Sequence, residues 1–130
     1  MNYVTISSTT ELIRFATNDI IYVRGDGNYS TLVLKAGKTR TILCQLHDFE
    51  TIIKQFRRNP FCRVGRSHIV NKNHIYVINL RNRTITFDDL PMTSEINPIS
   101  ISRDPLKELK EMMEKELKET MEEEKGDGNG

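Results

Sequence analysis

The sequence predicts a mainly β domain with two helices, on three observations. Short apolar runs rich in Ile, Val, Thr and Tyr, several alternating with polar residues, fill most of the chain, which is the pattern of strands half-buried in sheets. Within that body a single stretch, around Leu46 and Phe49, spaces its apolar residues by three and four. A second such stretch follows Asp104. A chain of 130 residues is long enough for one hydrophobic core and short for two, so one domain with an appendage is expected.

The first five strands are expected at 4–7, 12–15, 20–24, 29–35 and 39–43. Gly25-Asp26-Gly27-Asn28 lies between the third and fourth and reads as a hairpin turn, because Gly and Asn tolerate positive φ. Ala36-Gly37-Lys38 joins the next pair. Leu43, Leu46, Phe49, Ile52, Ile53 and Phe56 then place one face of a short helix, about 47–57, against the sheet, and Pro60 ends it. Further strands are expected at 75–80 and 84–87, joined by Arg81-Asn82-Arg83, and a last one at 98–102 after an acidic, Pro-containing loop at 88–97. Asp104 and Pro105 open the second helix: a capping acceptor is followed by a proline where its missing N–H is no loss.

Leu106, Leu109, Met113, Leu117 and Met121 form one stripe on that helix, read more simply as a helix lying on its own domain than as a dimer seam. The expected organisation is a domain over 1–113, an acidic helical extension over 114–125 that outruns the body, and a disordered tail over 126–130, Gly126-Asp127-Gly128-Asn129-Gly130.

The formal charge of +1 hides a division. Residues 1–104 carry 14 Lys+Arg against 9 Asp+Glu, or +5; residues 105–130 carry 5 Lys against 9 acids, or −4. Most bases of the body are Arg, including Arg57, Arg58, Arg63, Arg66, Arg81, Arg83 and Arg103. The planar guanidinium fork fits phosphate and the acceptor edge of guanine, so an anionic partner explains this choice better than a merely solvated basic face.

Catalytic chemistry is poorly provided for, and a non-enzymatic protein is expected. Cys44-x-x-His47 lacks partners for a metal site, and no metal or other cofactor is expected. Asp26-x-Asn28-x-Ser30 fails as a calcium loop, with Thr31 where glycine is required. Cys62 is read as a strand cysteine and not a nucleophile, and there is no Walker lysine motif or dinucleotide fingerprint. Two cysteines without a secretory signal predict a reducing, cytoplasmic setting, and no apolar run approaches the ~20 residues that span a bilayer.

The most informative stretch is Phe61-Cys62-Arg63-Val64-Gly65-Arg66-Ser67-His68-Ile69-Val70-Asn71, followed by Lys72. With Asp19-Ile20-Ile21-Tyr22-Val23, Gly27-Asn28-Tyr29-Ser30, His74-Ile75 and Ile101-Ser102-Arg103, it resembles the LytTR family of bacterial DNA-binding domains over roughly residues 4–112. The resemblance implies about ten short strands in several small sheets, elongated, reading DNA with loops instead of a recognition helix. It carries three contact places: the turn at Asn28 and Tyr29, the loop at Arg66, and Arg103 before the last helix. Arg63, Ser67, Asn71 and Lys72 of the long phrase are further DNA-binding candidates, or serve the loop's own packing. Ile69 and Val70 are expected core anchors. Gly65 stands where the family has His and is expected to loosen the backbone, and His68 replaces an aromatic. The acidic loop is expected on the side away from the duplex.

The function so implied is a sequence-specific, response-regulator-like transcription regulator that contacts the major groove of double-stranded DNA through loops. It is expected to stand alone without a receiver domain, and to occupy paired direct repeats as two protomers, a homodimer on DNA. A protein partner through the C-terminal helix is also expected. The rival is an interaction module using its sheet edges and acidic helix. RNA is the lesser alternative, because Tyr29 is the one aromatic near the basic loops on which a base could stack.

Overall fold

In the structure, a computed structural model that describes residues 2–93 and 95–128, the chain runs β1 (Tyr3–Ser7), β2 (Leu12–Ala16), β3 (Ile20–Asp26), β4 (Tyr29–Leu34), β5 (Thr39–Ile42), α1 (Leu46–Ile53), β6 (Phe61–Val64), β7 (His68–Asn71), β8 (Ile75–Asn79), β9 (Thr84–Phe87), β10 (Ile99–Ser100) and α2 (Arg103–Gly128). The fold is mainly β with two α-helices, as predicted. The strands form three antiparallel sheets, ordered β1-β2, β10-β9-β8 and β5-β4-β3-β7-β6.

The five-stranded sheet is central because β3 is apolar on both faces. Ile20, Ile21, Tyr22 and Val23 are consecutive and all buried, so each face needs its own cover. Tyr22 lies between Val33 and Val70 and looks toward β9, β10 and the first turns of α2, where Ile85, Phe87, Leu106 and Leu109 are buried. Val23 lies between Leu32 and Ile69 and looks toward α1 and β1, against Phe49, Ile53 and Val4. Each such side chain contributes about 1.5–3 kcal/mol when fully buried. Ile69 and Val70, both fully buried, thus anchor opposite faces.

Tyr22 stacks on Phe87 at 5.0 Å between ring centres and donates its hydroxyl to Ile96 O at 2.8 Å. Burial pushes its phenol pKa up to about 12, so the hydroxyl remains a donor. Asn97, also buried, closes the acidic loop by bonding both the N–H and the carbonyl of Phe87. That loop meets the β4–β5 turn, where Ala36 N donates to Asp89 O at 2.9 Å. It therefore sits at the opposite end of the sheet from the Asn28 turn.

Several local expectations differ from what is observed. Helix α1 stops at Ile53, because Gln55 and Phe56 bond carbonyls three residues back and tighten the last turn. Leu43 is exposed and lies before the helix. Among the described residues three single 3-10 turns, at Thr17–Asp19, Lys35–Gly37 and Lys72–His74, connect strands, and the second takes Lys35 out of the strand expected over 29–35. Helix α2 begins at Arg103, with Ser102 O accepting from Leu106 N at 3.2 Å, so Pro105 falls inside the first turn. The stripe on α2 divides: Leu106 and Leu109 are buried, whereas Leu117 and Met121 are 60% and 52% exposed. The helix continues to Gly128, three residues into the segment expected to be disordered, since extending a docked helix adds a hydrogen bond per residue without a new nucleus. The rest of that expectation, residues 129–130, lies outside the described residues.

Asn71 is a structural residue. It is fully buried, and its amide donates to Ile20 O at 3.0 Å and Thr17 O at 3.4 Å while its oxygen accepts from Asn73 N at 3.0 Å. The expectation that it contacts DNA is corrected accordingly: all its polar capacity is spent inside the fold. Asn71→Ala leaves these groups unpaired and should lower stability by about 1–3 kcal/mol in urea unfolding, with the DNA affinity of the folded fraction unchanged.

Candidate nucleic-acid interface

The β3–β4 hairpin turns through two residues, Gly27 and Asn28, since Asp26 pairs with Tyr29. Gly27 has φ +61 and Asn28 does not share the positive region, the pattern of a II′ turn that matches the twist of its strands. Asn28 and Tyr29 project at this tip, Tyr29 being 52% exposed. Gln45, just before α1, donates Nε2–H to Asn28 Oδ1 at 2.8 Å, which orients the Asn28 amide. Sequence reasoning missed Gln45, which stands seventeen residues from Asn28 and leaves no local signal.

The β6–β7 hairpin turns through Gly65, Arg66 and Ser67, between the paired residues Val64 and His68. Gly65 has φ +66, a left-handed conformation that strains any side chain. The expectation that Gly65 loosens the backbone is thereby corrected, since the glycine meets a fixed demand of the turn. Arg63 braces this turn from behind. Its guanidinium donates to Arg66 O at 2.8 Å and Gly65 O at 3.2 Å and pairs with Glu50 at 3.3 Å. Arg63 thus positions the turn that carries Arg66, the packing role that the sequence left open for it. Lys72 stands at the far end of β7 with Nζ 2.7 Å from Glu116 of α2, and its side chain is 17% exposed.

The two tips are adjacent. Gly25 N donates to Ser67 O at 2.8 Å, tying the Asn28 hairpin to the Arg66 turn. On the other side a groove of about 360 Å³ runs between 64–68 and Ser100, Ile101, Ser102 and Pro105, and a side chain at Gly65 would stand 3.8 Å from the Pro105 ring. Arg103 opens α2 at the end of this groove. The structure therefore brings Asn28, Tyr29, Arg66, Ser67 and Arg103 into one row. Arg66 and Arg103 are exposed and take part in no ion pair among the described residues.

Arg24 joins this group and was missed. It is exposed at the end of β3, paired with His68 and Thr31 and on the same face as Tyr22. Its signal in the sequence is weak, a single base after four apolar residues. Burial, with the Arg24 charge second, lowers the His68 pKa from 6.5. A cation, an imidazole and hydroxyls thus line the row without a carboxylate partner for Arg24 among the described residues.

Exposed arginines on adjacent loop tips, carried by a rigid sheet, form the arrangement of a nucleic-acid-binding domain. The model of the LytTr DNA-binding domain matches residues 10–114, and the chain belongs to this LytTR family of DNA-binding domains. A solved structure, described as the LytTr DNA-binding domain of a methyl-accepting/DNA response regulator from Bacillus cereus, has the same fold. Its TM-score is 0.62 at 21% identity, over 87% of this chain and 97% of that one. No curated protein matches. Among the described residues no helix is long and apolar enough to cross a membrane.

His68 supplies a pH test. With its pKa lowered in the folded state, the unfolded chain takes up the proton first as pH falls. The neutral residue's contribution is whole above pH 6.5 and declines below it, until folded His68 titrates too. His68→Gln should therefore show a shallower loss of urea midpoint below pH 6.5 than the unmodified protein, compared at matched salt.

Proposed function

We propose that the protein is a transcription regulator that binds double-stranded DNA sequence-specifically and contacts the major groove through its loop tips. The observation that carries this reading is the row formed by the Asn28 turn, the Arg66 turn and Arg103, with both arginines exposed and unpaired among the described residues. Arg66 and Arg103 are assigned to guanine edges or phosphate, which suits their bidentate fork. Asn28, held by Gln45, presents an amide of the kind that pairs with adenine, and Tyr29 beside it offers an apolar contact. Ser67 reaches a phosphate. Arg63 acts through the turn it braces.

Such a protein acts by occupying a promoter, phosphate contacts setting its register and base contacts its sequence choice. Two protomers on paired direct repeats double the contacts without requiring a dimer in free solution. A protein partner on the C-terminal helix is the second reading, and one observation favours it. A groove of about 510 Å³ between β8 and α2 is lined by Ile75, Ile78, Met113 and Leu117, beside Tyr76, which is 75% exposed. This surface is remote from the three tips in sequence and in fold, so both readings can hold together.

Selection from random duplex DNA should enrich one repeated motif; no enrichment would reject sequence-specific binding. Arg66→Ala should lose about 1–3 kcal/mol of affinity for that motif and relax the preference at one base position. Arg63→Ala should weaken the same position less, through a loosened turn, which distinguishes a brace from a contact. Changing Leu117 and Met121 to Lys should leave DNA affinity intact, as measured by anisotropy, while abolishing any self-association seen by light scattering.

A further inference from the structure

We infer a fourth DNA-contacting element, the β8–β9 turn, whose Arg81 and Arg83 hold the phosphate backbone beyond Arg103. The inference rests on the DNA-binding reading above and extends it to residues outside the three tips.

The placement is set by backbone contacts. Thr84, the first residue of β9, pairs with Ser100, and Ile101 N donates to Arg83 O at 2.9 Å. The turn is therefore the immediate neighbour of the segment that leads into Arg103. The row then reads Asn28 turn, Arg66 turn, Ser102 with Arg103, and finally Arg83, each step joined by a hydrogen bond or a shared groove. A duplex lying along the first three would run on to the fourth.

The side chains are available. Arg81 and Arg83 are exposed and take part in no ion pair among the described residues, whereas Lys35, Arg40, Arg63, Lys72 and Lys110 each have a carboxylate partner. Asp104, exposed beside Arg103, is the acid adjacent to this end of the row.

The backbone adds a separate observation. Arg83 has φ +57, the left-handed region that Gly or Asn enters with less strain. Gly27, Gly37 and Gly65 occupy that region elsewhere in this chain, as do Ala36 and Asp89. Asn82 stands next door, its N–H held by Asn79 Oδ1 at 3.0 Å, yet the strained position carries an arginine. The turn thus presents a guanidinium, a group suited to holding phosphate. Contacts of this kind set register and carry no sequence preference.

The test uses the full chain and a mixed-sequence duplex, with affinity measured across a salt series by anisotropy. The variant changes Arg81→Gln and Arg83→Asn, since Asn keeps the left-handed turn. Loss of two phosphate contacts should lower the slope of log affinity against log salt by about 1.8, so the variant's deficit shrinks roughly tenfold between 50 and 200 mM salt. Thermal unfolding should be unchanged, and Arg81→Lys with Arg83→Lys should restore most of the slope. On the selected motif, hydroxyl-radical protection should shorten only at the Arg103 end. An unchanged slope, with binding lost in an Arg66→Ala, Arg103→Ala protein, would overturn the fourth element and leave the DNA-binding reading standing. A wild-type protein that fails to bind duplex DNA would overturn both.

Discussion

Pairing of β3 with β7 is the constraint on which the rest of the molecule depends. Tyr22 faces Val70, Val23 faces Ile69 and Arg24 faces His68. Since successive side chains alternate faces, a slip of one residue would exchange the contents of two cores at once. The central positions are apolar on both faces and discriminate poorly between registers. The ends discriminate well. Asn71 locks one end through Ile20 O and Thr17 O, and Arg24 with His68 keeps the other at the polar margin.

That register is also what aligns the loop tips. Because β3 and β7 run antiparallel side by side, the turn leaving β3 and the turn entering β7 emerge at one end of the sheet, joined by Gly25 N and Ser67 O. The second core brings up the remaining side: Leu106 and Leu109 seat the first turns of α2, so Pro105 arrives beside Gly65, two residues after Arg103. Rigid presentation matters for recognition, because ordering a flexible loop on binding subtracts from affinity. The division of labour within one phrase follows. Arg63 and Asn71 hold the scaffold, Lys72 ties β7 to α2, and Arg66 is left to face outward.

Helix α2 serves two regions differently. Its first half is a core element, covered as far as Met113. Its second half carries Leu117 and Met121 into solvent on a predominantly acidic segment. Like-charge repulsion disfavours placing such a segment against a phosphate backbone.

Much of this was legible in the sequence. Alternation and β-branched composition located the strands other than β6 and β7, the three-and-four spacing located both helices, and the phrase around Arg66, which holds β6 and β7, carried the family. These are local signals, set by side chains within a few residues of one another. Which of Arg63, Asn71 and Lys72 serve the fold could not be read locally, because their partners Glu50, Ile20 and Glu116 are distant in the chain, and a base or amide in a motif reads alike whether it faces solvent or a carbonyl. Gln45 and Arg24 escaped notice for the same reason. The sequence by itself determined the fold class, the strand and helix content and the kinds of group available to meet an anion. Only the tertiary structure decided which of them remain free, because a hydrogen-bonding group has limited capacity and long-range pairing determines where that capacity is used.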